Sequence, residues 1–597
     1  MKLEELFLDN KSLLGRAAEL NFLFLLKAWK IMSDKNELDT EFTFDTVYNK
    51  TIDLKEMNSI FKQLSKNSNV FKMFLAFYKD IPFDNVEDVI KLFNLIANNK
   101  VDFSVMDAYD SLNALSTKAY TVSNQLTILG YKLLNNDSKE IYIPFTNTFS
   151  VFSDTDKKVY FENAYDSSYV TSTYLPLILE YIKIIENKDI EYPKLMSLMD
   201  IAFQNPLENP KFLNPDAPHL LRQFDSVLSF PPLSLKKGLD TSKDRFHRFQ
   251  FHKGTNLDIA YFEHILAQTK SKAVVLMPVG FTYRSGNEEK FRKYLIENNW
   301  LEAIIQLPPN LHSATSIETT FFVINKKKND EKVLFVNLKD ESFIRRDGRK
   351  LVFKSLDKIL DIYKNKKEIE NISCMVTNKE IANNNYTLAI DRYVISKEAK
   401  ELQKTLEQFE LVNLEDIADI KRSQLFKDEG EGKEVYEISP SDFSKAGYTL
   451  ECGKIKQIGS QYKRLHTYKL EPYDVLLSTK GTIGKVAIIG EISDAMIASQ
   501  AIQVIRIQDE AKKEKAIALY MFFKSKVGQT ILSSLVAGVA MPQIATAEIK
   551  KLGVPVLTKE QEKQTLLNFE NELKLYNEIE KLNKDIEQIH NNFLGNR

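Results

Sequence analysis

Between about residues 140 and 325 short apolar runs alternate with amphipathic helical stretches, and this alternation constrains the fold more than any other feature. KEIYIPF (139–145), KKVYFEN (157–163), FDSVLSF (224–230), KAVVLMP (272–278), LEAIIQLP (301–308) and TTFFVINK (319–326) read as strands. Between them TYLPLILEYIKIIE (173–186), DIAYFEHILAQT (258–269) and EEKFRKYLIENN (288–299) read as helices. Strand and helix in alternation predict a mostly parallel sheet covered on both faces, an α/β fold of Rossmann-like type. Upstream, LLGRAAELNFLFLLKAWKIM (13–32) and DNVEDVIKLFNLIANN (84–99), the latter behind an Asp cap, predict a helical amino-terminal domain over 1–115. From 411 onward, β-rich segments around Gly-bearing turns predict an α+β domain over 410–560. A long helix follows over 561–597, where Leu575, Ile579, Leu582, Ile586, Ile589 and Phe593 step by four and three as in a coiled-coil seam. A chain of 597 residues accommodates these four parts, with the sheet domain spanning 116–400.

Composition narrows the function classes. Lys and Arg number 81 against 82 Asp and Glu, a net charge of −1 that excludes a uniformly basic nucleic-acid binder but not local basic faces. Two cysteines, Cys374 and Cys452, exclude a disulfide framework and a cysteine-based zinc site. His247 and His252 have no carboxylate or cysteine cluster at metal spacing, so no metal site is expected. No GxxxxGK[ST] loop is present. The acidic start MKLEELFLDNKSLLG lacks the basic and apolar regions of a signal peptide, and no run approaches the ~18 apolar residues of a membrane span. A cytoplasmic protein is expected.

The stretch 256–328 carries a helix, the VVLMP strand, the RKYLIENN helix, the IIQLPPNL strand and loop and the IETTFFVINK strand, and NNYTLAIDRYV follows at 384–394. In order and spacing these resemble the modification subunits of type I restriction–modification systems, which are adenine-specific DNA amino-methyltransferases. LVNLEDIADIKRSQ (411–424), YDVLLSTKGTIGKVAI (473–488), SQAIQVIRI (499–507) and FFKSKVGQTILSSLVAGVAMPQIATAEIKKLGVPVLTKEQE (522–562) resemble one target-recognition half of a type I specificity subunit. Full specificity subunits carry two such halves. One half implies pairing through the terminal helix, as a homodimer or with partner restriction or modification subunits; packing of that helix on its own domain is the alternative.

The resemblance locates two motifs that this chain alters. The family places an Asp-Pro-Phe/Ala-x-Gly-x-Gly turn against S-adenosylmethionine. Here Pro144 and Phe145 remain, while Ile143, Asn147 and Phe149 replace the Asp and both glycines. Thr121 stands in a flanking pair, Glu162 at the next strand end is a candidate partner for the ribose, and Asp225 matches upstream of the second motif. That second motif is the Asn-Pro-Pro-aromatic turn, which accepts hydrogen bonds from the flipped adenine amine and stacks on the base. Pro231 and Pro232 match it, but Phe230 replaces the Asn and Leu233 the aromatic residue. Phenylalanine cannot accept that hydrogen bond, a loss of about 2–4 kcal/mol of transition-state stabilisation. The expectation is therefore a methyltransferase-like scaffold with no cofactor, which binds double-stranded DNA at a specific sequence in a restriction–modification or phage-defence system. The alternatives are an active S-adenosylmethionine-dependent adenine methyltransferase and an assembly scaffold that binds no DNA.

Candidate DNA contacts fall in two places. KDRFHRFQFHKG (243–254) follows the FPP turn where the family's target-strand loop lies, and offers Arg245, His247, Arg248 and Lys253. The recognition block offers Lys421, Arg422, Lys454, Lys456, Lys463, Arg464 and Lys469, with Tyr462, His466 and Tyr468 interleaved. The STKGTIG turn (478–484) is expected to be mainly a structural corner.

Overall fold

The computed structural model describes residues 17–50, 53–98, 122–134, 137–145, 157–163, 199–309, 311, 317–347, 350–406, 408–451, 453–492, 494–535 and 543–591. Thr121, Asn147, Phe149, Cys452, Phe593, the expected helix 173–186 and the expected boundary at 115/116 lie outside them. The chain forms two compact units, Met1–Ile390 and Asp391–Arg597.

In the first unit a helical layer includes α1 (Ala17–Asp34), α2 (Leu54–Asn67) and α3 (Val86–Ala97). The cap of α3 is Asn85, whose side chain accepts from the Glu87 N–H; the Asp expected to cap it stands one residue earlier. Trp29 holds this layer together: it is fully buried, and Phe44, Phe61, Phe71 and Phe93 meet its ring edge-on at 5.4–5.6 Å. The same cluster of buried side chains continues through α4 (Asn124–Leu134) into one face of the central sheet.

That sheet has nine strands: β1 (Glu140–Pro144), β2 (Lys158–Asn163), β3 (Met199–Phe203), β4 (Phe224–Ser229), β5 (Thr269–Pro278), β6 (Leu301–Gln306), β7 (Thr319–Asn325), β8 (Lys332–Asn337) and β9 (Ser373–Thr377). Their order is β9-β8-β6-β7-β5-β4-β1-β2-β3. The run β5-β4-β1-β2-β3 is parallel throughout, whereas β7 runs antiparallel between β5 and β6, and β9 antiparallel to β8. β4, β6 and β7 are buried along nearly their whole length, as a sheet covered on both faces requires. α4 covers one face, while α5 (Asp258–Ala267) and α6 (Asn287–Glu297) lie after β4 and β5 in the chain. Phe262 on α5 packs on Phe281, Phe291 and Phe322, forming a second aromatic layer. Strand order reverses between β1 and β4. In open α/β sheets such a switch point opens a crevice at the carboxyl ends of the strands.

Among its described residues the second unit holds two larger sheets and a two-stranded ribbon that pairs Leu411–Asn413 with Gly553–Pro555. β10 (Ala418–Arg422), β17 (Ile502–Ile507), β14 (Val475–Ser478), β15 (Val486–Ile489) and β12 (Tyr448–Thr449) form one in that order; β13 (Ile455–Ile458), β11 (Lys433–Ile438) and β16 (Met496–Ala498) form the other. α7 (Lys512–Lys524) and α8 (Lys526–Ser534) pack over the first. α9 (Lys559–Asn591) is 33 residues long, about 50 Å at 1.5 Å per residue. Its first half is anchored by buried Phe569, against Tyr448 and Tyr520. Beyond it Leu575, Ile579, Leu582, Ile586 and Ile589 are all exposed. Among the described residues no helix is long and apolar enough to cross a membrane.

Candidate functional site

The two altered motifs meet at the switch point. β1 ends at Pro144 and β4 at Ser229, and the Ser229 hydroxyl donates to the Pro144 carbonyl at 2.7 Å. Phe145 follows in the left-handed region at φ 60°, a conformation that strains a residue with a Cβ. Its buried ring packs edge-on against Tyr261 at 4.7 Å and His264 at 5.3 Å. Phe230 turns into the core under α4: its ring lies 6.0 Å from that of Phe321, and a Cβ on Gly130 would meet its tip at 3.1 Å. Ile143, Pro144, Pro231 and Leu233 are buried and Pro232 is half-buried. The FPPLS turn is closed from behind by the buried carboxylate of Asp258, which accepts from the Ser234 N–H at 2.8 Å and lies 3.5 Å from Arg284. Burial holds the Asp258 carboxyl above its ordinary range.

Asp225 does not join this edge. It stands at the opposite, amino end of β4, about 16 Å along a strand rising ~3.3 Å per residue. There it accepts from the Ser271 hydroxyl at 2.7 Å, beside Lys270 and Lys327. Glu162 is at the expected strand end but fully buried, which removes it from a ribose. It accepts from the Tyr142 hydroxyl at 2.7 Å, Gln204 Nε2 at 3.3 Å and the Lys211 N–H at 2.5 Å. Burial raises its carboxyl above the ordinary range.

From Glu162 a buried chain of polar groups runs to the 243–254 loop. Arg248 Nη1 lies 2.6 Å from His264 Nδ1, and His264 Nε2 lies 2.9 Å from the Tyr142 hydroxyl. A guanidinium only donates, so Nδ1 accepts, Nε2 carries the proton and the Tyr142 proton goes to Glu162. Burial, reinforced by Arg248, holds His264 well below the usual histidine range. Arg248 is therefore no DNA contact. Its guanidinium also donates to the carbonyls of Pro206 and Leu207 at 2.8 and 2.7 Å and pairs with Asp244 at 2.9 Å. Next to His264 on α5, the Glu263 carboxylate accepts from three successive N–H groups, those of Gln250, Phe251 and His252. The loop is strapped along α5, and Arg245 and His247, both exposed, line a cleft with Arg222, Gln223 and Ala267 near the amino edge. Lys253 is exposed.

In the second unit the expected cations divide. Lys456 is buried, donating to the Phe426 carbonyl at 2.6 Å and pairing with Glu437 at 2.5 Å; it is a core ion pair and faces no DNA. Lys454 pairs with the other Glu437 oxygen at 2.6 Å and Lys421 with Asp419 at 3.4 Å. Arg422 donates to the Thr546 hydroxyl at 3.2 Å. Lys463, Arg464 and Lys469 are exposed on the turn 460–469, and among the described residues no carboxylate lies within ion-pairing distance of them. Lys469 lines one small depression with Lys421 and Arg422, which extends the cationic face onto β10. The STKGTIG corner is held from within: the buried Ser478 hydroxyl donates to the Thr482 carbonyl at 2.6 Å and accepts from the Lys485 N–H at 2.8 Å.

Comparison with known proteins gives these surfaces a context. Residues 120–402 match the N-6 DNA Methylase family, and residues 406–588 match the Type I restriction modification DNA specificity domain. The chain is a fusion of a type I methylase domain and a specificity domain. The fusion is 34% identical over 189 residues to the type I restriction enzyme MpnII methylase subunit of Mycoplasma pneumoniae, which is 30% of this chain and 34% of the relative. It is 24% identical over 387 residues to the MjaVII methylase subunit of Methanocaldococcus jannaschii, 60% of this chain and 64% of the relative. It thus spans from about a third to under two thirds of the length of these curated relatives. The type I methyltransferase subunit of Streptococcus thermophilus shares its fold at a TM-score of 0.50 and 16% identity, covering 65% of this chain and 98% of that one.

Among the described residues, one expected contact with S-adenosylmethionine is already taken up inside the fold. Glu162, which would meet its ribose, is sealed by three internal donors, whereas Phe145 is a residue the family itself places in the cofactor turn. Tyr142, His264 and Glu263 were not singled out from sequence. Tyr142 and His264 stand 122 residues apart, and no spacing signal joins them. The i,i+4 spacing of Asp244 and Arg248 is the one local signal that could have marked this arginine as occupied.

Proposed function

We propose that the fusion is the DNA-reading component of a type I restriction–modification or related phage-defence system, and that its methylase domain transfers no methyl group. The observation that carries the reading is Phe230. Where adenine chemistry needs a preorganised amide acceptor, this chain has an aromatic ring packed into the core. The unpaired cations at 463–469 supply the phosphate attraction, and their side chains and those of the neighbouring 421–422 segment supply candidate base contacts. The apolar seam from Leu575 to Ile589 is suited to pairing with the same helix of a second copy or of a partner subunit. Sequence-specific double-stranded DNA is the proposed ligand, with cleavage and active methylation residing in partner subunits.

The test is a pair of titrations on the intact protein. Gel shifts with random genomic fragments are expected to show retention at low salt that weakens steeply as salt rises. Calorimetry with S-adenosylmethionine is expected to show no binding heat. Absence of any retained fragment refutes the reading role, and stoichiometric cofactor binding refutes the silent methylase.

A further inference from the structure

The turn carrying the unpaired cations is too short to hold its own shape. It consists of one 3-10 segment, Ser460–Arg464, and one helical turn, Leu465–Tyr468. From beneath it is anchored by buried Leu465 and by the Tyr468 ring against Phe426 at 5.9 Å. Its leading edge is held by one carboxylate. Glu429 accepts from the N–H groups of Gly459 and Ser460 at 3.1 and 2.8 Å, from the Ser460 hydroxyl at 2.8 Å and from Gln461 Nε2 at 2.6 Å. Gln461 passes the constraint on, bonding both the N–H and the carbonyl of Lys427 at 3.2 Å. Asp428 accepts from the Gln457 N–H at 3.1 Å, and at Gly432 (φ 117°) a Cβ would lie 2.5 Å from the Ile458 carbonyl oxygen, so the two segments run in close contact.

An acid beside a cationic face weakens attraction for phosphate, so its presence calls for a compensating role. We infer that Glu429 is a positioning residue for DNA recognition: it fixes the turn so that Lys463, Arg464 and Lys469 present one rigid constellation. This rests on the reading that the specificity domain binds DNA. The hydrogen bonds, led by that from Gln461, lower the Glu429 carboxyl to about 2, so the clamp is fully charged at neutral pH.

The two roles open to this acid predict opposite signs. A surface acid that only repels phosphate gives tighter binding when removed. A positioning acid gives weaker binding to the preferred sequence while random duplex is held as before. The full chain is first used to enrich a preferred duplex from a random pool. Affinities for that duplex and for random duplex are then measured for the unmodified protein, E429A, E429Q and E431Q. Glu431 is exposed and removes the same charge two residues away. E429A is expected to lose about tenfold on the preferred duplex, the effect of a mismatched base pair, with random-duplex affinity unchanged within about twofold. E429Q, which keeps one acceptor, is expected to be intermediate, and E431Q to bind both duplexes at least as well as the unmodified protein. The inference is overturned if E429A and E429Q behave like E431Q, or if both duplexes are lost equally. If the unmodified protein enriches no sequence, the DNA-reading role itself fails, an outcome distinct from failure of the clamp.

Discussion

Phe230 and Arg248 show how one side chain decides what an edge or a loop can do. Phe230 occupies core volume against Phe321 and Gly130, so F230A is expected to destabilise the first unit by about 3–5 kcal/mol. F230N buries an amide in the same apolar space and is expected to lower the melting temperature without restoring methyl transfer; calorimetric melting and a methylation assay check both. Arg248 and Arg245, three residues apart, are expected to behave oppositely. R248L breaks a buried ion pair and strands two carbonyls, an effect of about 3–5 kcal/mol, whereas R245A leaves the melting temperature within error. His264 adds a pH dependence of defined sign. Its folded-state pKa lies well below the unfolded 6.5, so on acidification the unfolded chain takes up a proton first. The contribution of His264 is present above pH 6.5 and falls below it by up to about 1.4 kcal/mol per pH unit. The stability gap between the unmodified protein and H264Q should therefore narrow from pH 7.5 to pH 5.

At the scale of elements, the parts legible in sequence were those with a strong period. KEIYIPF and TTFFVINK stand where the alternation placed them, and the expected terminal helix runs through the seam positions from Leu575 to Ile589. Strands β3, β8 and β9 were not singled out, because short apolar runs outside a helix–strand rhythm do not distinguish an edge strand from a connection. The course of the 243–254 strap was illegible for a different reason. It is set by Glu263 and Arg248 reaching partners across the fold, and counting charges cannot say which cation turns inward. Among the recognition-domain cations the same limit hid Lys456, whose partner Glu437 lies one strand away. The exposed seam carries its own prediction. Ile579→Lys with Ile586→Lys is expected to abolish self-association in light scattering while leaving the melting temperature unchanged, since both side chains are already in water.

Across the whole molecule the near-neutral charge becomes meaningful once its distribution is known. In the second unit Lys454 and Lys456 are taken up by Glu437 and Lys421 by Asp419, whereas Lys463, Arg464 and Lys469 stand exposed together on one turn. Removing one of them, as in K463A, is expected to weaken binding to all sequences alike and to reduce the slope of log affinity against log salt by about 0.9. The N-6 DNA Methylase and specificity matches say which machinery the two domains resemble, and Phe230 in place of an amide acceptor marks the half that is proposed to be silent. The most direct measurement is methyl transfer on DNA that the protein itself selects: duplex retained by the intact chain is incubated with it and tritium-labelled S-adenosylmethionine. Retained duplex without tritium above background is the predicted result, and stoichiometric labelling of adenine in that duplex would contradict it.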